Sequence, residues 1–180
     1  MSKLQLVTER LILRSFLLTD AQRVQSQAND KRIYDTTARV PFPYKIEMAE
    51  QWIKSHDKLF ENRCSVNFAI VTKLQQLLIG TVGLEIDSNN GKAELGYWVG
   101  VDYWNQGYCT EAAFECVKYG FQELGLTRIE GICMTKNIAS EKVLKNIGMK
   151  REGVLRRYML KNGISEDAYI YSVLNDERDI

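Results

Sequence analysis

The chain has 180 residues, a formal net charge of +1, 45% hydrophobic and 26% charged residues, the size and balance of one globular domain with a real core. A charge so near zero gives no bulk electrostatic reason to expect nucleic acid or an anionic membrane as partner, and no apolar run is long enough to span a bilayer. The opening "MSKLQLVTERLILR" lacks the apolar stretch of a signal peptide core, so a cytoplasmic location is expected.

"LQLVTERLILRSF" reads as a first strand, and "TDAQRVQSQAND" as a helix with Thr19 and Asp20 as candidate N-caps. Pro41 and Pro43 break the chain in "VPFPY", after which "KIEMAEQWIKSHDKLFEN" carries Met48, Trp52 and Leu59 near helical spacing. "SVNFAIV", "QLLIGTVGLEI" and "KAELGYWVGV" then read as three antiparallel strands, the last two joined by the turn signal "DSNNG". From Cys109, apolar or small residues recur at Ala112, Ala113, Cys116, Val117 and Gly120, the pattern of an amphipathic helix over 108–123 that ends near Gly125. "TRIEGICMT" is a short strand. "NIASEKVLKNIG" is a helix between an Asn137 cap and Gly148, and the remainder reads as two or three strands with a turn at "KNG". That order predicts a mixed sheet with helices packed on it, and parallel strands on either side of the 108–123 helix.

Two absences concern chemistry. The cysteines, Cys64, Cys109, Cys116 and Cys133, form no CxxC pair, and the single histidine, His56, has no ligand-type neighbour, so no metal site is expected and the thiols read as reduced and mostly buried. Neither GxxxxGK[ST] nor GxGxxG occurs. What is present is "YWNQGYCTEA", in which Gly107 opens a helix. A helix N-terminus presents unpaired N–H groups and the positive end of the dipole, and a glycine there lets a ligand approach the backbone. Together they can hold a phosphate without a lysine, although many helices begin after a glycine for steric reasons alone.

"YWNQGYCTEAA" resembles the acetyl-CoA pyrophosphate loop of the GNAT N-acetyltransferase superfamily, in the branch of the ribosomal-protein N-terminal acetyltransferases RimJ and RimL. "TERLILRSFLLTDA", "FPY", "AELGYWV", "NIASEKVLKNIGM" and "GISEDAYIYSVL" resemble other parts of that branch in order. The resemblance implies an α+β GNAT fold, a mixed, mostly antiparallel twisted sheet of about seven strands with about four helices on both faces. It would occupy one domain over residues 1–180, with a core at about 8–175. The superfamily loop is usually [Q/R]-x-x-G-x-[G/A]; Trp104 holds its first position and Cys109 its last. The late-helix tyrosine of many members is replaced by Leu144.

The implied reaction is acetyl transfer from acetyl-CoA to an amine in a ternary complex. It requires a base for the amine, polarisation of the thioester carbonyl and a donor for the leaving thiolate. Glu94 is the candidate base and Ser140 the candidate donor. Trp98 and Val99, at the end of a strand expected to splay from its neighbour, would flank the pantetheine arm, with a backbone N–H near Val99 meeting the carbonyl. Gln106, Gly107, Tyr108, Cys109 and Thr110 would offer N–H groups to the pyrophosphate, and Asn137 would cap its helix and reach a pantetheine amide. Residues 128–161 hold nine basic and three acidic residues, among them Lys142 and Lys145, candidates for the 3′-phosphate. Plainer readings stand beside these: a solvent-facing Glu94, a Ser140 that only fills a helix turn, a solvated basic surface. Tyr34, Phe42, Tyr44 and Trp52 are candidate walls for the acceptor, as a monomer or homodimer. The acceptor is a protein N-terminus or a small molecule such as a polyamine or antibiotic, and a non-catalytic acyl-CoA-binding module is the competing class.

Overall fold

The computed structural model describes residues 4–177. Its centre is an eight-stranded sheet in the order β1-β2-β3-β4-β5-β6-β8-β7. The strands are β1 (Gln5–Val7), β2 (Leu11–Arg14), β3 (Ser65–Thr72), β4 (Leu78–Asp87), β5 (Lys92–Val99), β6 (Arg128–Met134), β7 (Lys150–Lys161) and β8 (Ile164–Leu174). The helices are α1 (Ala21–Ala28), α2 (Lys31–Thr36), α3 (Ile46–Glu61), α4 (Tyr108–Gln122) and α5 (Ile138–Asn146). All neighbouring strands are antiparallel except β5 and β6, which flank α4 and run parallel as that connection requires.

The architecture is the mixed α+β sheet that the sequence predicts, with eight strands instead of about seven and five α-helices instead of about four among the described residues. The extra strand arises because "LQLVTERLILR" folds back on itself, Leu6 opposite Leu13, instead of running straight. The extra helix is α2, whose cap is the Asp30 carboxylate accepting from the Arg32 N–H. Asp20 stands at the N-cap of α1 but does not cap it with its side chain. Its carboxylate instead accepts from Arg14 Nη1 at 2.7 Å and from the Leu17 N–H at 2.8 Å.

Both faces of the sheet are covered. Val66, Phe68 and Ile70 of β3 join a core with Ala112, Ala113, Cys116 and Val117 of α4, while Ala69 and Val71 join a second core with Val24 of α1 and Ala49 and Ile53 of α3. The alternation follows from the two-residue period of a strand. Gly120 lets α4 lie close to the sheet: a Cβ there would stand 2.8 Å from methyl groups of both Leu84 and Ile129. Among the described residues no helix is long and apolar enough to cross a membrane.

Candidate active site

The parallel pairing of β5 with β6 stops early. Lys92 to Leu95 match Arg128 to Gly131, and there the ladder ends. Beyond it β5 stays paired with β4 as far as Val99, and β6 stays paired with β8 as far as Met134. The sheet therefore opens into a V between the end of β5 and the end of β6. The Gly100 N–H bonds back to Ile79 O at 2.8 Å, on the β4 side. By strand alternation the N–H of Val99 then faces the opening. Trp104 Nε1 donates to Val99 O at 2.9 Å, tying the following loop to this strand end.

Two cavities meet at the V. One, of about 420 Å3, runs from the α4 N-terminus along α5 and is lined by Val99, Gly107, Tyr108, Cys109, Thr110 and Lys142, among others. The other, of about 540 Å3, lies on the α3 side and is lined by Tyr44, Met48, Trp52, Glu85 and Glu94, among others. Thr36, Thr37, Tyr97, Trp98, Asn137 and Ser140 line both. A chain threading the V from the first cavity would emerge in the second.

The α4 end of the first cavity is a left-handed Gly107 (φ 78°) at the N-cap, with no side chain capping the helix. The first bond back along the helix is from the Glu111 N–H to Gly107 O at 3.0 Å. Helix geometry thus leaves the Tyr108, Cys109 and Thr110 amides without intrahelical acceptors. Arg10, from the β1–β2 turn, braces this end. Its Nε donates to Glu111 at 2.7 Å, its Nη1 donates to Gln106 O at 2.9 Å, and its guanidinium stands 4.6 Å from the Tyr108 ring centroid. Burial alone would raise the Glu111 carboxyl, but hydrogen bonds from Thr8 and Arg10 outweigh it and hold the group below its ordinary range. Gln106 Nε2 donates to Asp102 O at 2.9 Å, closing the loop on itself. The Cys109 thiol is turned inward, and burial pushes it up to about 12.

Across the cavity, Asn137 Oδ1 accepts from the Ser140 N–H at 3.1 Å and caps α5. Its Nδ2 donates to Thr36 O at 3.1 Å, so both ends of the amide are engaged, one on its own helix and one on the end of α2. The Ser140 Oγ lies 2.9 Å from the Tyr97 hydroxyl. Lys142 lines the first cavity. Lys145 turns to Glu141 at 2.8 Å, which raises its pKa.

In the second cavity Glu94 is not alone. It lies directly opposite Glu85 in the β4–β5 ladder, a like-charge pairing that needs a counter-charge. Arg39, from the segment after α2, supplies it, with an ion pair to Glu85 and one guanidinium nitrogen 3.8 Å from Glu94. Of the expected aromatic walls, Tyr44 and Trp52 reach this cavity. Tyr34 and Phe42 instead face each other at 6.2 Å, and Lys161 lies 3.7 Å over the Tyr34 ring. Among the described residues no cluster of metal-ligand side chains occurs.

Sequence reasoning missed Arg10, Glu85, Arg39 and Tyr97. The signal for Glu85 was in reach: a ladder closing with Asp87 opposite Lys92 puts Glu85 opposite Glu94 by counting. For the others no local pattern exists, because each partner lies on a distant element.

The family profile of the Acetyltransferase (GNAT) domain matches residues 10–150. The uncharacterized N-acetyltransferase YoaA of Bacillus subtilis (strain 168) is 34% identical over 173 residues, covering 94% of this chain and 96% of its own. The acetyltransferase (GNAT family) from Bacillus anthracis superposes with a TM-score of 0.85 at 26% identity, over 97% of this chain and 100% of that one. The ribosomal L7/L12 α-N-protein acetyltransferase RimL, solved in complex with coenzyme A, superposes with a TM-score of 0.88 at 18% identity, over 96% and 98%; at that identity the likeness is one of fold.

Proposed function

Because this chain belongs to the GNAT acetyltransferase family, we propose that it transfers the acetyl group of acetyl-CoA to a primary amine by direct attack in a ternary complex. The observation that carries the reading is the V between β5 and β6, where a cavity with a bare helix N-terminus meets a cavity with a carboxylate wall. The amides of Tyr108, Cys109 and Thr110 receive the pyrophosphate, with the backbone of Gln106 and Gly107 shaping the approach. Lys142 is the cation for the 3′-phosphate, since Lys145 is engaged by Glu141. Trp98 and Val99 flank the pantetheine arm, and the Val99 N–H stabilises the charge that grows on the thioester oxygen. Ser140 donates a hydrogen bond to the departing sulfur, and Glu94 takes the surplus proton of the acceptor ammonium. Asn137 holds the first turn of α5 so that Ser140 faces the V.

The acceptor arrives as a cation. Two carboxylates, Glu85 and Glu94, face one guanidinium, Arg39, on that wall, which leaves one negative charge in excess for an incoming ammonium. An N-terminal amine of a protein is the class we favour, in line with the RimJ/RimL branch that the loop, cap and strand motifs resemble. The whole activity would lie within one domain spanning residues 1–180, with a core at about 8–175.

The test is release of free CoA thiol from acetyl-CoA with a panel of N-terminal peptides, polyamines and aminoglycosides, together with calorimetry of acetyl-CoA binding. Peptide-dependent release is expected. Release only with small amines would replace the acceptor class, and tight binding with no release would make the protein an acyl-CoA-binding module. Gly107→Glu is expected to abolish binding by placing a carboxylate where phosphate should lie. Gly107→Ala serves as control, since a side chain at this φ costs about 1–2 kcal/mol of strain without adding charge. Unchanged affinity in correctly folded Gly107→Glu would mean that the phosphate site lies elsewhere.

A further inference from the structure

The late helix of this chain carries Leu144, buried against Gly131, and brings no hydroxyl of its own besides that of Ser140. A tyrosine hydroxyl reaches the site from another element. Tyr97 lies on β5, on the face opposite Trp98, and its Oη is 2.9 Å from Ser140 Oγ and 3.1 Å from Ser140 O.

We propose that Tyr97 is a positioning residue for acetyl transfer: its O–H donates into Ser140 Oγ and so turns the Ser140 proton out toward the departing sulfur. The inference rests on the reading that the thioester sulfur passes beside Ser140. Each hydroxyl has one proton, so two arrangements make the contact between the two hydroxyls a hydrogen bond. In one, Tyr97 donates to the Ser140 carbonyl and Ser140 donates back to Tyr97, leaving nothing for a ligand. In the other, Tyr97 donates to Ser140 Oγ and the serine proton is directed away from the ring, into the V. Negative charge growing on sulfur selects the second, because a hydrogen bond to an ion is about twice as strong as one between neutral groups. Burial raises the Tyr97 phenol well above its ordinary value, so Tyr97 stays a donor throughout.

The step balances without ionising either hydroxyl. The amine nitrogen forms its bond to the acetyl carbon as the carbon–sulfur bond breaks, and that electron pair goes to sulfur. The acceptor ammonium gives up two protons on its way to the amide, one before attack and one after the nitrogen–carbon bond forms, and both leave through Glu94 or water. Ser140 and Tyr97 keep their protons, and the thiolate takes one from solvent on release.

The experiment titrates the thiol of bound CoA by thiolate absorbance, as a difference from the ligand-free enzyme, so no acceptor need be known. It compares the parent, Tyr97→Phe, Ser140→Ala and the double variant, with CoA affinity and melting temperature as controls of folding. Tyr97→Phe is expected to raise the bound thiol pKa by about one unit. With an amine that the acceptor panel identifies, it is also expected to lower kcat about tenfold, the rate equivalent of one pKa unit, with KM for acetyl-CoA unchanged. Ser140→Ala is expected to raise the thiol pKa at least as much, and Tyr97→Phe to add nothing once Ser140 is alanine. An unchanged thiol pKa in Tyr97→Phe beside a raised one in Ser140→Ala overturns this inference alone. An equal effect of Tyr97→Phe with and without Ser140 overturns it too, since Tyr97 then acts by another route. A thiol pKa unmoved by Ser140→Ala overturns both the inference and the donor role of Ser140.

Discussion

At the scale of single residues, the site divides on the proposed reading into groups that bind and groups that move protons, and the two should respond differently to substitution. Glu94→Gln keeps size and the neighbour Glu85 but cannot accept a proton. Acetylation of an amine of high pKa should fall by about 10²-fold near neutral pH, the low end of general-base effects. It should recover partly as pH rises, because solution then supplies the free amine, while acetyl-CoA affinity stays put. A pH–rate profile identical to the parent's would leave Glu94 a wall residue. Lys142→Ala should raise KM for acetyl-CoA with kcat unchanged, and should have little effect with acetyl-dephospho-CoA, which lacks the 3′-phosphate. Lys145→Ala, whose ammonium is exposed and paired with Glu141, should change KM little. If the two variants behave alike, the 3′-phosphate does not distinguish them.

At the scale of elements, α3 carries an untapped acid sensitivity. His56 packs between Trp52, 4.4 Å between ring centroids, and Phe16, 5.2 Å away, and neither ring nitrogen has a hydrogen-bond partner among the described residues. Burial lowers its pKa to about 4 from 6.5, against a weaker upward pull from Asp57. Between those values the unfolded chain binds the proton more readily than the folded one, so stability is full above about pH 6.5 and falls as pH drops toward about 4. At pH 5 the loss from this group is about 2 kcal/mol relative to neutral pH. His56→Phe removes the titration and both orphaned nitrogens, and should reduce the difference between denaturant midpoints at pH 7 and pH 5. An undiminished difference would move the acid sensitivity to other groups. The other elements of the site are held by their ends: Asp30 caps the start of α2, Asn137 caps the start of α5, and Asn137 also donates to the carbonyl of Thr36 at the end of α2.

At the scale of the whole molecule, the V divides the sheet into two parts that share only the first four pairs of the β5–β6 ladder. Two hydrogen bonds to the segment at the end of α2 hold the opening: Asn137 Nδ2 to Thr36 O at 3.1 Å, and Lys161, the last residue of β7, to Thr37 O at 2.7 Å. A CoA arm lying in the V would touch both parts and should stabilise the folded state by mass action, about 2.7 kcal/mol at a hundred times its Kd. For a chain of this size that is a rise of roughly 5–10 °C in Tm. Gly107→Glu should erase the rise without lowering the ligand-free Tm by more than the strain accounts for. A full shift retained in that variant would mean that CoA binds outside the first cavity.

The sequence by itself determined the parts of this protein whose causes are local. Gly107 and the spacing from Cys109 to Gly120 mark α4, because a left-handed N-cap and a 3.6-residue period are properties of neighbouring residues. Asn137 is legible as the cap of α5 for the same reason, and the "DSNNG" turn carries the register that faces Glu85 with Glu94. It left unread where β2 breaks from β1 and that α2 exists, both settled by short-range folding too weakly patterned to stand out. Only the tertiary structure decided how far the β5–β6 ladder runs, since a ladder's end depends on what each strand's other neighbour and the covering helices require. It alone brought Tyr97 to Ser140 across 43 residues, Arg10 to Glu111 across 101 and Lys161 to Thr37 across 124. Periodicity and caps record what a segment forms; which distant side chain completes a hydrogen bond is set by sheet order and helix placement, and the local sequence holds no trace of either.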